Sequence, residues 1–86
     1  MRKDYRWIYR QELPHRAVAL YIYLLDRAND RGECWPFVAT ISKELHMSQS
    51  TVRRAIKDLK NADILETERR HRIDGSETSM IFHLKK

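Results

Sequence analysis

The residues best suited to molecular recognition lie between Ser48 and Asn61. On a helix, at about 100° per residue, Ser50, Arg54, Lys57 and Asn61 fall on one stripe. Arg53 and Lys60 run along one edge of it, and Thr51 and Asp58 along the other. Val52, Ala55, Ile56 and Leu59 fall on the opposite face. Guanidinium, amide and hydroxyl groups gathered on one outward face can hydrogen-bond to base edges in a major groove about 12 Å wide, while the cations neutralise phosphates. A merely solvated helix face carries the same residue types, so the surroundings must decide between the two readings.

A second basic group, Arg69, Arg70, His71 and Arg72, stands just before Asp74 and Gly75, a pair that favours a two-residue hairpin turn. Cations near a hairpin tip can reach phosphates or an adjacent minor groove. Asp74 and Glu77 at the tip, with Glu66 and Glu68 in the strand, oppose deep insertion. No spacing sets a nucleophile beside its base, so no catalytic residue is assigned and no enzyme is expected. His15, His46, His71 and His83 are too scattered to complete a ligand set with the lone Cys34. The expectation is therefore no metal, no cofactor and no small-molecule ligand.

The chain has 86 residues, 34% of them charged and 42% hydrophobic, with only two Gly and two Pro, which suits one small domain. A chain of this size buries roughly 60% of its unfolded surface, leaving little room for a scaffold, a cofactor cleft and a specificity pocket together. Seventeen Lys and Arg against twelve Asp and Glu give a net charge of +5, which biases encounters toward polyanions. One cysteine makes no internal disulfide, in keeping with a reducing cytoplasm. The longest apolar run, Ala17 to Leu25, is far short of the about 20 residues a bilayer span needs. The opening residues carry no secretory cleavage pattern, and the expected location is the bacterial cytoplasm, at the nucleoid when bound.

Elements must hold these residues in place. Pro14 favours a helix start, and His15 to Asn29 reads as a first helix with Ala17, Leu20, Tyr21, Leu24 and Ala28 on its inner face. Val18, Ile22 and Leu25 form a second apolar stripe, to be covered by the segment Tyr5 to Tyr9 or by a second copy of the chain. Residues 1–12 are expected to be an extended segment packed on the domain. Asp30, Arg31 and Gly32 break the first helix, and Glu33 to Trp35 is extended, with Trp35 a core or lid aromatic. A second helix runs from Phe37 or Val38 to Leu45, with Ile41 and Leu45 inward, and His46, Met47 and Ser48 form a tight connector. Ser48 is suited to cap a third helix from Gln49 to about Ala62. Leu65 and Thr67, alternating with Glu66 and Glu68, begin a strand that returns over Thr78 to Leu84 with Met80, Phe82 and Leu84 on one face. His15 and His83 are expected to face solvent, and residues 85–86 to be a loose tail.

The layout is mainly α with a small β-hairpin: a three-helix core and a two- to three-stranded antiparallel wing. Residues 13–84, through ISKELHMSQSTVRRAIKDLKNADIL and ETERRHRIDGSETSMIFHL, resemble the small winged helix-turn-helix domains of bacterial and phage regulators and of replication or mobile-element proteins. GECWPFVAT is similar to the stretch that leads into the second helix in that group. The resemblance implies a helix in the major groove and a wing on the backbone. It marks Ser48, Gln49, Ser50, Thr51, Arg53, Arg54 and Lys57 as DNA contacts, with Arg69, Arg70 and Arg72 from the wing. His46 stands where the family's turn usually has Gly, so the backbone there either avoids positive φ or is strained. Phe37 stands where a capping Ser is usual, which should fray the start of the second helix.

The leading expectation is a sequence-specific binder of double-stranded DNA, in the first place a transcriptional regulator. A replication-initiation or mobile-element DNA-binding protein is the alternative role, and a winged-helix protein interaction module the alternative class.

Overall fold

The computed structural model describes residues 5–69 and 80–85. The expectations for Arg70, His71, Arg72, Asp74, Gly75, Glu77, Thr78, Ser79 and Lys86 lie outside these residues.

Helix α1 spans His15–Arg27, with Pro14 at its N-cap; the Pro14 carbonyl accepts from Ala17 and Val18. Ala17, Leu20, Tyr21 and Leu24 are fully buried, as their spacing requires. The helix stops two residues short of Asn29. Ala28 is already extended, and the Asn29 side-chain oxygen accepts the amides of Arg31 and Glu33 at 2.9 and 3.0 Å. This local side-chain bonding offers the backbone an alternative to another helical turn. Val18, Ile22 and Leu25 are half-buried against the chain's own core.

The described strands form one antiparallel sheet: β1 (Glu33–Cys34), β2 (Leu65–Arg69) and β3 (Met80–Leu84), in the order β1-β3-β2. Register pairs Cys34 and Thr67 with Phe82, and Leu65 with Leu84, on the side facing the helices. Glu33 and Glu66 flank His83 on the other side, where Glu68 pairs with Ile81. His83 is accordingly half-buried rather than free in solvent, with its Nδ1 3.4 Å from a Glu33 carboxylate oxygen. The alternation also corrects Trp35: Cys34 takes the inward position, and its neighbour turns outward to stand 50% exposed.

Helices α2 (Val38–Leu45) and α3 (Gln49–Asn61) end alike. His46, at φ 55°, and Asp63, at φ 60°, both adopt the left-handed conformation. Met47 then bonds back to the Ser42 carbonyl and Ile64 to the Leu59 carbonyl, each at 3.0 Å, closing the last turn in the manner of a Schellman cap. Phe37 caps α2 without a side-chain hydrogen bond.

Two expectations for the termini are corrected. The described part of the N-terminal segment is a 3-10 turn at Arg6–Arg10, not an extended run. Consecutive residues of a strand point to opposite sides, whereas the turn lets Ile8 fill the core while Trp7 packs edge-on against Tyr21 at 5.1 Å. Tyr5 and Tyr9 remain exposed and meet edge to face at 6.2 Å. Lys85 is not loose: its amide donates to the Ile64 carbonyl at 2.8 Å and its ammonium pairs with Asp63. No described helix is long and apolar enough to cross a membrane.

Candidate nucleic-acid interface

The candidate interface is built on α3. Its inner row, Val52, Ala55, Ile56 and Leu59, is buried and fixes the helix against α1, α2 and the sheet. Fully burying side chains of this kind is worth roughly 1.5–3 kcal/mol for each of the larger ones, so the helix cannot roll about its axis without exposing core. That constraint turns Ser50, Arg53, Arg54, Lys57, Lys60 and Asn61 outward, and all six are exposed, as is Gln49 at the start of the helix.

Ser48 and Thr51 have a different part. Ser48 Oγ accepts the Thr51 amide at 3.1 Å and lies 2.9 Å from the Thr51 hydroxyl. Both residues thus close the first turn of α3, where Ser48, Gln49 and Ser50 are exposed and Thr51 is half-buried. The turn between the helices is held from below by Ser42, whose hydroxyl donates to the Met47 carbonyl while its own carbonyl accepts the Met47 amide. Ser42 carries no sequence signal for this work, because a serine inside a helix usually just faces water.

Ion pairs among the described residues sort the cations. Arg27 pairs with Glu44 and lies over the Tyr23 ring, 4.4 Å from its centroid; Lys85 pairs with Asp63. Arg16 makes a two-pronged contact with Asp58, its Nε and Nη2 donating at 2.8 and 3.4 Å. Arg53, Arg54 and Lys57 have no described carboxylate within ion-pair distance. Lys60 reaches instead toward the sheet, donating to Thr67 at 3.2 Å and tying the end of α3 to β2. Arg69 ends β2 opposite Met80, while Arg70 and Arg72 fall outside the described residues. Asp58 was legible as a flank residue of α3, but its partner Arg16 lies 42 positions away, a distance no periodicity reveals.

Two helices joined by a tight turn, a bracing helix behind them and an antiparallel sheet at the edge define a winged helix-turn-helix domain. The chain belongs to the helix-turn-helix domain family, which it matches over residues 11–65. It is 40% identical over 60 residues to Protein YmfN of Escherichia coli (strain K12); the match takes in 70% of this chain and 13% of that protein, so the chain spans only a small part of its relative's length. Among solved structures it is similar to one described as a possible transcriptional regulator from Methanosarcina mazei Go1. There the TM-score is 0.66 at 22% identity, over 86% of this chain and 57% of the other, a likeness of fold.

Proposed function

We propose that this domain binds double-stranded DNA in a sequence-specific manner and serves a transcriptional regulator. In this reading α3 lies in the major groove, Gln49, Ser50, Arg53 and Arg54 meet base edges or phosphates, Lys57 meets phosphate, and the wing strands lie along the backbone or the adjacent minor groove. The observation that carries it is the open outer row of α3: Arg53, Arg54 and Lys57 are exposed and without a described acidic partner, above an inner row that is wholly buried. The mechanism requires no bond making. Cations displace counterions from phosphates to supply affinity, and the N-terminal side chains of α3 discriminate among sequences.

Titration against duplex DNA over a range of salt tests the reading. Binding should weaken steeply as salt rises, and Arg54→Ala should weaken it at every salt. Indifference to changes at Arg53, Arg54 and Lys57 would transfer the case to a protein interaction module. The exposure of Tyr5, Tyr9, Trp35 and Phe37 supports that second reading. A dimer through the uncovered parts of Val18, Ile22, Leu25 and the Tyr5 to Tyr9 segment would set two α3 helices about 34 Å apart on a palindrome. Sedimentation at micromolar concentration distinguishes it from a monomer.

A further inference from the structure

Asp58 is the one acidic residue on α3, and its position creates a hazard. Residues four apart on a helix are neighbours, close enough for opposite charges to pair. Asp58 stands four residues beyond Arg54 on the same side of the helix. A free Asp58 carboxylate could therefore fold back onto the Arg54 guanidinium and occupy the group that faces DNA. In the structure it does not. Arg16, from the first turn of α1, takes both Asp58 oxygens, through Nε at 2.8 Å and Nη2 at 3.4 Å. The Asp58 side chain is only 21% exposed there, and Arg54 is left open.

We infer that Arg16 is a positioning residue for DNA recognition: by holding Asp58 it keeps Arg54 free of an intrahelical partner and available to the duplex. The inference rests on the DNA-binding reading and adds a residue outside the recognition helix to it. A fork of parallel donors on a carboxylate fixes direction as well as charge. The contact therefore draws the Asp58 head toward α1 and away from the outer face. An aspartate that would otherwise repel phosphates becomes part of the scaffold.

The test is a mutant cycle read by fluorescence anisotropy, using the duplex that the wild-type chain enriches from a random pool. Arg54→Ala is measured in wild type, in Arg16→Gln and in Arg16→Gln/Asp58→Asn. Long-range effects of net charge are common to both arms of each comparison and cancel. In wild type, Arg54→Ala should weaken binding about tenfold or more. In Arg16→Gln the same change should cost about twofold less than in wild type, because pairing with Asp58 then competes with the duplex for Arg54. In Arg16→Gln/Asp58→Asn the full cost should return. Equal costs in all three backgrounds would overturn the inference and leave DNA binding intact, whereas a wild-type chain with no salt-dependent binding would remove the reading beneath it. Circular dichroism verifies that each variant folds. Should Arg16→Gln fail to fold, Arg16→Lys replaces the fork by a point charge and should give a cost of Arg54→Ala between the extremes; an unchanged cost there counts against the inference.

Discussion

The Ser48 hydroxyl accepts the Thr51 amide at 3.1 Å while meeting the Thr51 hydroxyl at 2.9 Å, so two groups of Thr51 are tied to one oxygen across the first turn of α3. Helix starts leave amides unpaired, and a side-chain oxygen at this position satisfies one of them. Ser48→Ala should lower the stability of the domain by about 1 kcal/mol. Ser48→Asp should hold it near wild type, because a carboxylate both caps and favours the positive end of the helix. Urea unfolding followed by circular dichroism measures both; equal midpoints for wild type and Ser48→Ala would remove the cap from the account.

His46 occupies the turn between α2 and α3 at φ 55°. A side chain with a Cβ resists this region by roughly 1–2 kcal/mol, and glycine does not. His46→Gly should therefore raise the thermal midpoint, by the equivalent of up to about 1 kcal/mol once the greater freedom of the unfolded glycine is set against it. His46→Val should lower it. Differential scanning calorimetry on the three proteins checks the order.

Gly32 presents the reverse case. Its φ is 75°, and an added Cβ would stand 3.1 Å from the Leu84 carbonyl oxygen, a backbone atom of the central strand. Gly32→Ala should destabilise by about 1–2 kcal/mol through the strained backbone alone, with the crowding added. An unchanged denaturant midpoint would show that the loop relaxes away from β3.

Tyr23 gives a dependence on pH. Burial raises its phenol above the ordinary value of 10.0, against the pull of the neighbouring Arg27 guanidinium, and among the described residues its buried hydroxyl makes no hydrogen bond of ordinary geometry. With the folded state holding its proton longer than the unfolded one, this group's share of stability is complete below about pH 10 and is lost as pH climbs toward the raised value. Tyr23→Phe should be neutral or slightly stabilising near pH 7 and should flatten the alkaline fall. Urea midpoints at neutral pH and above pH 10 provide the check.

Periodicity made the helices and their inner faces legible: the four inward residues of α3 and the outward Ser50, Arg53, Arg54, Lys57, Lys60 and Asn61 stand where a 100° advance puts them. The Ser48 cap was legible because capping depends on one local oxygen. What escaped the sequence acts over a distance or by competition. Asn29 ended α1 early by offering its side chain to the backbone. Ile8 entered the core through a tight turn that no alternation announces. Arg16 found Asp58 only because α1 and α3 pack together, and Asp63 adopted a conformation usually left to glycine.

The order β1-β3-β2 places the last of the described strands in the middle. During synthesis on the ribosome, β1 and β2 emerge first and have no common neighbour to pair with. The two strands keep open edges until residues 80–84 clear the exit tunnel, so the sheet is completed only after α3 has emerged.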